Sequence, residues 1–290
     1  MTIIYTIING ILLGGLYTLF GTGLALTFGI MRTVNLAHGD MIVFGSFMSL
    51  LITRFLGLPP FISLVVLIPA MFLVGQVLQH ALLNRTLQQG VMPSVIMTFG
   101  LSVILQNAML LSFSADRASL PIGSLATMSL PLSGDFAIGV LPLINLATAV
   151  LVLYLLHLFF RCTMMGRAFR ATSDDPTTVE LMGVSSRQMY ALAMGIAFAV
   201  IAVSAVFMGA RTNFSPLDGP ARLIFAFEVV IIGGMGSLKG VLAGGLILGI
   251  AQALGGAVNP AWFQLAGHVA TLLVLAVRPS GLFPETIDRT

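Results

Sequence analysis

Residues 161–190 read RCTMMGRAFRATSDDPTTVELMGVSSRQMY and form the most polar stretch of the chain, with long apolar runs on either side. The chain as a whole is 58% hydrophobic and only 8% charged, whereas soluble domains carry roughly 25% charged residues. This composition predicts a membrane protein. Its internal polar loop, residues 161–190 (the polar segment), is then the part that a soluble partner can bind.

The apolar runs supply the candidate membrane spans, because a spanning helix needs about 20 mainly apolar residues. The candidates are 3–30, 41–58, 61–79, 91–113, 136–160, 189–210, 223–254 and 261–277. The run 223–254 is long enough to cross twice, so the count is eight or nine. We predict one all-α polytopic membrane domain over 1–290, with about 8–9 transmembrane helices and one or two broken or re-entrant segments. The short alternating segments of outer-membrane barrels are not the pattern of this chain.

Arginine placement predicts the orientation. If the polar segment is cytoplasmic, simple alternation places six arginines inside (Arg32, Arg85, Arg161, Arg167, Arg170 and Arg187) and four outside (Arg54, Arg117, Arg211 and Arg222). Cytoplasmic loops carry an excess of basic residues. The tail 278–290, with Arg278 and Arg289, also favours the cytoplasm, which requires either a double crossing within 223–254 or a re-entrant break. The net charge of +3 is therefore attributed to an excess of arginine in cytoplasmic loops and not to a nucleic-acid-binding site.

Residue types that carry catalysis or bind metals are scarce. Cys162 is the single cysteine, so an intrachain disulfide is excluded and a metal cluster is not expected. The sequence holds no paired carboxylates, no Ser-His-Asp arrangement and no phosphate-loop spacing. The first apolar run lacks the positive start and cleavage pattern of a signal peptide, so we interpret it as a retained span. We expect no catalysis, no metal and no cofactor bound by this chain.

The first interruption of the apolar pattern is VNLAHGD at 34–40, which contains Asn35, His38, Gly39 and Asp40. A broken helix frees backbone groups that hydrocarbon cannot satisfy, so such groups must lie in protein or face a wet cavity. Interrupted spans in separated parts of a transporter indicate its substrate path. Spacing alone favours an ordinary loop at the membrane surface for 34–40, with a mid-membrane site as the alternative.

The second interruption is GGMGSLKG at 233–240. We predict a kinked or unwound segment over Gly233, Gly234, Gly236 and Ser237, whereas Gly240 and Gly244, four residues apart, favour close helix packing. Glu228 lies earlier in the same apolar run. Because burying a charge in a membrane is costly, it is either a functional residue or an interfacial or arginine-paired one. His268 is predicted to be a packed, hydrogen-bonded histidine, and His80 and His157 to be interfacial.

The polar segment has the pattern of two short helices. Good helix formers follow Gly166, Asp174 and Asp175 precede Pro176 as at a helix N-terminus, and Gly183 is a natural stop. A solvated loop capping the bundle is the plain alternative. The mixed charges and small residues favour a stiff docking surface.

Five motifs, in this order, resemble those of bacterial branched-chain amino acid ABC transporter permeases, specifically the LivH-like subunit. They are the glycine-rich opening Gly14-Gly15-Leu16-Tyr17, the element from Asn35 to Gly39, the loop from Gly166 to Ala171, the element from Gly233 to Gly240, and the ending Arg278-Pro279-Ser280-Gly281-Leu282. The resemblance covers nearly the whole chain. Thr172-Ser173 and Lys239 depart from the usual pattern and leave the substrate open.

The resemblance implies a multi-pass subunit of an ATP-driven importer in the bacterial inner membrane, not itself an enzyme, that carries branched-chain or related hydrophobic amino acids. It implies a related second permease subunit, two ATP-binding subunits that hold the ATP and Mg, and a periplasmic binding protein. The expected substrate path comprises Asn35, His38, Gly39, Glu228, Gly233, Gly234, Gly236 and Ser237. The expected ATPase-coupling residues are Gly166, Arg167, Arg170, Asp174, Asp175, Glu180 and Gly183.

Three alternatives remain at this point. Permeases for urea and short amides carry similar motifs. An ion-coupled secondary transporter would need intramembrane ionisable groups, for which only Glu228 and His268 qualify. A channel would leave the polar segment without a purpose.

Overall fold

The computed structural model describes residues 2–87, 89–133 and 136–283, and these are mostly helical. The helices are α1 (Thr2–Met31), α2 (His38–Leu56), α3 (Leu64–Leu78), α4 (Asn84–Leu87), α5 (Val91–Phe113), α6 (Val140–Cys162), α7 (Met164–Asp174), α8 (Pro176–Leu181), α9 (Ser186–Arg211), α10 (Gly219–Gly233), α11 (Leu238–Val258) and α12 (Trp262–Val277). A π-helical turn, Gln79–Leu83, joins α3 to α4. A 3-10 turn, Gly123–Ala126, precedes the hairpin of β1 (Ser129–Ser133) and β2 (Phe136–Gly139).

Seven of the described helical segments are long and apolar enough to cross a membrane: Ile3–Met31, His38–Leu56, Leu64–Leu87, Met92–Phe113, Val140–Cys162, Ser186–Arg211 and Leu238–Val258. The shorter helices α10, of 15 residues, and α12, of 16 residues, complete the bundle. The run 223–254 thus divides into two helices, α10 and α11. Nine helices form the bundle in the described part of the chain, of which seven meet the length and composition of a membrane span, so the predicted count of eight or nine spans stays a prediction.

Side-chain contacts show that these helices alternate in direction. Gly14 lies against Gly245 and Gly10 against Gly249, so α1 and α11 are antiparallel. Arg211, at the end of α9, donates to the carbonyl oxygen of Leu12 near the start of α1. The start of α1 and the end of α12 are therefore at opposite ends of the bundle.

Basic residues are unequally divided between the two ends. In the described ranges, eight lie at the end that carries the polar segment (Arg32, Arg85, Arg161, Arg167, Arg170, Arg187, Lys239 and Arg278) and three towards the other (Arg54, Arg117 and Arg211), whereas Arg222 lies in the first turn of α10. Arg289 is outside the described residues. An excess of basic residues marks the cytoplasmic side, so we call the first the cytoplasmic end and the second the outer end.

Helix α9 is the central helix, because small residues occur all round it. Gly195 contacts the Phe72 ring, Gly75 of α3 meets the Met194 carbonyl, and Gly45 of α2 meets Ala205. Such residues let backbones approach closely where lipid gives no hydrophobic drive for helix association. The described residues of the linker 114–135 lie at the outer end, where Ala118 pairs with the buried Phe214.

Candidate functional site

The polar segment folds into two capped helices, as its sequence predicts. The Thr163 hydroxyl accepts from the Gly166 amide at the start of α7. The Asp175 carboxylate caps α8, accepting from the Thr177 amide at 2.9 Å and the Thr178 amide at 3.1 Å. The Thr178 hydroxyl at 2.5 Å, together with these amides, holds the pKa of Asp175 below its usual range. Gly183 follows α8 with φ of 84°, a conformation that favours glycine.

Helix α7 is fixed to the cytoplasmic end of the bundle. The Ser173 hydroxyl donates to the Gly29 carbonyl at 2.6 Å, and Arg170 donates to the Phe160 carbonyl at 2.6 Å. Phe169 is buried against the rings of Phe159 and Phe160. These contacts join α7 to α1 and α6, so a displacement of α7 must reach both.

The predicted coupling residues divide into two groups. Gly166 packs against the end of α6, and the carboxylate of Glu180 accepts from the Ser186 hydroxyl. These two hold the shape of the polar segment, as do Arg170, Asp175 and Gly183. Arg167 and Asp174 are exposed. Beside them Met164, Leu181 and Met182 are about four-fifths exposed, at 79%, 86% and 79%. The exposed face therefore combines apolar side chains with both charges.

The first break lies deep in the bundle, so the surface loop that spacing favoured is wrong. His38 is buried, and its Nε2 atom lies 2.9 Å from the Phe20 carbonyl oxygen. Phe20 precedes the end of α1 at Met31 by 11 residues, which is about 16 Å at 1.5 Å per residue. That depth is about half of a 30 Å hydrocarbon core. Residues 32–37 thus return into the bundle, and α2 begins near mid-membrane.

Local hydrogen bonds satisfy the returning backbone. The Asn35 side-chain oxygen accepts from the Ala37 amide at 3.0 Å, and the Thr98 hydroxyl of α5 accepts from the Leu36 amide at 3.1 Å. Gly39 contacts the backbone of Gly219 and Leu223 at the start of α10. No side chain fits between these two helices, and the N-termini of α2 and α10 therefore meet inside the bundle.

Asp40 lies at this meeting point and was not among the predicted site residues. It is 1% exposed, and its Oδ2 atom accepts from the Ser102 hydroxyl of α5 at 2.5 Å. Its Oδ1 atom has no hydrogen-bond partner in the described residues and lies against Gly219. Gln106 in turn donates to Ser102 at 3.1 Å. The positive ends of two helix dipoles favour a carboxylate here.

The second break lies at the cytoplasmic end instead of mid-membrane. Gly29, near the end of α1, packs against Gly236. Gly234 and Gly236 have φ of 105° and 87°, and the Ser237 hydroxyl caps α11 by accepting from the Gly240 amide. The segment is unwound, as predicted. The two breaks are at different depths, so they do not form one cluster.

The chain ending packs on the second break. The Leu282 amide donates to the Ile232 carbonyl and the Phe283 amide to the Gly233 carbonyl, both at 2.9 Å. A Cβ atom on Gly281 would collide with Gly234. Glycine is needed at both positions because two backbones touch there. The predicted helix packing at Gly240 and Gly244 is also confirmed, against Gly233 and Val229 of α10.

Glu228 is buried in α10 and hydrogen-bonds to Nδ1 of His268 on α12. The partner is therefore a histidine and not an arginine, and His268 is hydrogen-bonded as predicted. A second polar pair, the Tyr17 hydroxyl and the Gln252 side-chain oxygen, links α1 to α11. These pairs join residues tens to hundreds of positions apart. The only sequence signal for Glu228 and His268 was that each is a lone ionisable residue in an apolar run.

A family model described as the branched-chain amino acid transport system permease component matches residues 6–277. The chain belongs to this family. Two of its relatives are high-affinity branched-chain amino acid transport system permease proteins: BraD of Pseudomonas aeruginosa, 29% identical over 95% of this chain and 94% of the relative, and LivH of Escherichia coli K12, 30% identical over 94% and 93%.

Other members of the branched-chain permease family match less of the chain. LivM of Escherichia coli K12, a high-affinity branched-chain amino acid transport system permease protein, is 29% identical over 50% of this chain and 34% of the relative. Among solved structures, PsaBC from Streptococcus pneumoniae in complex with Fab matches with a TM-score of 0.51 and 14% identity, over 94% of this chain and 91% of that one. This last likeness shows a shared fold and no more.

Within this permease family member, the geometry defines three candidate regions. The exposed face of the polar segment, at the cytoplasmic end, is a candidate docking surface. The cluster of Asp40, Ser102 and Gln106 lies by the mid-membrane break at Asn35–Gly39. The second break and residues 281–283 form a packed junction at the cytoplasmic end of α1.

Proposed function

We propose that the chain is one permease subunit of an ATP-driven importer of branched-chain amino acids in a bacterial inner membrane. The observation that carries the proposal is the polar segment. It is a pair of capped helices, fixed to α1 and α6, in a chain whose family match spans residues 6–277. A loop shaped and anchored in this way can pass a motion into the bundle.

The proposed partners follow from what this chain lacks and what its relatives are. The sequence has no phosphate-loop motif, so two separate ATP-binding subunits hydrolyse ATP and hold Mg, and the chain itself acts without catalysis or cofactor. A related second permease chain completes the pore, in keeping with the likeness to both LivH and LivM. A periplasmic binding protein delivers the amino acid at the outer end.

The proposed path passes the first break. Asn35, His38 and Gly39 shape the unwound backbone there, and the buried Glu228 contributes its hydrogen bond to the half-exposed His268. Gly233, Gly234, Gly236 and Ser237 form the cytoplasmic junction that shifts when α7 moves. Rocking of the helices then exposes the path to one side at a time, and weak contacts along it permit release.

The test is uptake by the complete importer in proteoliposomes with ATP inside. Radiolabelled leucine, isoleucine and valine are expected to accumulate, whereas urea is not. Arg167→Glu, on the exposed face of α7, is expected to abolish uptake and weaken co-purification of the ATPases. Arg85→Glu has the same charge change at the same end, outside the polar segment, and is expected to behave as the wild type.

Three results would reject the proposal. Uphill uptake without ATP, abolished by an ionophore, would instead indicate an ion-coupled transporter that uses the Glu228–His268 pair. Full uptake by Arg167→Glu together with normal ATPase co-purification would exclude coupling through this loop. Accumulation of urea with no branched-chain amino acid uptake would assign the chain to the amide-carrying alternative.

A further inference from the structure

A cavity of about 660 Å³ lies at the cytoplasmic end, between α7 and the bundle. Its walls are the ends of α1 and α6, the inner side of α7, the second break, and Leu282 and Phe283 after α12. It therefore touches both elements that the transport cycle is proposed to move. The cavity is separate from the exposed face of the polar segment and from the mid-membrane break.

The described residues that line the cavity include several basic side chains and no acidic ones. Arg161, Arg170 and Lys239 contribute to its lining together with His157, and none of the described lining residues is Asp or Glu. Arg170 is held in place by its hydrogen bond to the Phe160 carbonyl, which uses one nitrogen of the guanidinium and leaves other donors. The ion pairs found in the described residues, Arg222–Asp218 and His268–Glu228, are elsewhere. Like charges gathered beside low-dielectric walls repel unless an anion joins them.

The rest of the lining is apolar, which decides between a lipid and a soluble anion. Leu26, Ile30 and Phe160 line the cavity from the helix ends, and Leu238 and Leu282 line it from the second break. A free phosphate would gain nothing from these walls. Basic pockets between transmembrane helices on the cytoplasmic side suit the headgroups of anionic phospholipids, whose glycerol and acyl portions match apolar walls.

We propose that this cavity binds the phosphate headgroup of an anionic glycerophospholipid from the cytoplasmic leaflet. Arg161 and Lys239 contact the phosphate from α6 and α11, and Arg170 contacts it from α7. A lipid in this position bridges the polar segment and the second break. The lipid separates these two elements while it is bound and lets them approach when it leaves. The activity of the importer therefore depends on the lipid composition of the membrane.

Native mass spectrometry of the detergent-purified importer measures this binding without requiring transport, so its outcome is independent of the proposed function. The lipids added are phosphatidylglycerol, cardiolipin and phosphatidylcholine. The wild type is expected to retain the two anionic lipids in preference to phosphatidylcholine. The double variant Arg161→Gln/Lys239→Gln, which changes neither proposed coupling residues nor the mid-membrane cluster, is expected to bind them about 30-fold more weakly. Arg85→Gln, a basic residue at the same end that does not line the cavity, serves as the matched control.

The comparison has clear opposing outcomes. Equal retention of anionic lipid by the wild type and the double variant would overturn the proposal, as would equal binding of phosphatidylcholine. An equal loss of lipid affinity in Arg85→Gln would mean that general surface charge, and not the cavity, attracts the lipid, and this result would also overturn the proposal. Inorganic phosphate in the millimolar range is expected not to displace the lipid; full displacement would assign the cavity to a free anion.

Discussion

Replacing Gly39 by alanine tests whether α2 and α10 meet inside the bundle. A Cβ atom at Gly39 would lie 2.7 Å from the Leu223 amide nitrogen, about 0.7 Å short of the 3.4 Å at which ordinary van der Waals contact begins, and still closer to the Gly219 carbonyl oxygen. These neighbours are backbone atoms of a helix, so they cannot rotate away. The two helix starts must separate, and overpacking of this kind costs about 1–3 kcal/mol.

Gly100 provides the matched control. It lies within α5, and a Cβ atom there meets nothing within 4 Å. Gly100→Ala should stabilise the protein by about 0.5–1 kcal/mol, because alanine loses less backbone entropy in a helix. The same chemical change therefore has opposite expected signs at the two positions.

The assay is the apparent melting temperature of the purified importer, from size-exclusion peak height after heating. At roughly 2–4 °C per kcal/mol for a chain of this size, Gly39→Ala should lower it by about 2–12 °C and Gly100→Ala should raise it by a few degrees. ATP-driven leucine uptake should fall for Gly39→Ala and persist for Gly100→Ala. A Gly39→Ala protein as stable as the wild type would refute the close crossing and, with it, the mid-membrane position of the first break.

Three further predictions concern polar contacts. Asp175→Ala should speed amide exchange in the first turn of α8. In the wild type, hydrogen bonding lowers the pKa of the Asp175 carboxylate, so the cap should persist at pH values above the ordinary aspartate pKa and fail only as the pH falls through the lowered pKa. Loss of amide protection in the wild type near neutral pH would contradict this prediction. Ser102→Ala removes the hydroxyl donor of Asp40 and should cost about 1–3 kcal/mol in thermal denaturation, with a smaller cost when Asp40→Asn is already present; strict additivity would deny the contact. His268→Ala leaves the buried Glu228 carboxylate without its hydrogen-bond partner. It should lower the free energy of unfolding by about 1 kcal/mol more than the near-isosteric Glu228→Gln does, and the reverse order of melting temperatures would exclude the Glu228–His268 interaction.

The features predicted well from sequence are those set by local chemistry. The two helices of the polar segment follow from a carboxylate before Pro176, which caps a helix, and from Gly183, which ends one. The unwound second break follows from glycines that adopt positive φ angles. The division of 223–254 into two helices follows from the same glycines together with the length of the run.

The depth of the first break could not be read in this way. A short polar stretch between apolar runs has the same composition at the surface and at mid-membrane. What distinguishes the two is the contact of His38 with Phe20 and of Leu36 with Thr98, partners 18 and 62 positions away. Asp40 was passed over for the same reason, since its partner Ser102 is on another helix.

The alternating directions of the nine bundle helices have a consequence for how a two-chain pore is encoded. Helix α1 enters at one face and α12 leaves at the other. A second copy of this bundle joined directly after α12 would have the opposite orientation in the membrane. Its polar segment would then lie on the outer side, unless an additional membrane crossing were inserted. In the proposed two-chain pore, separate polypeptides keep both polar segments on the same side of the membrane without an additional crossing.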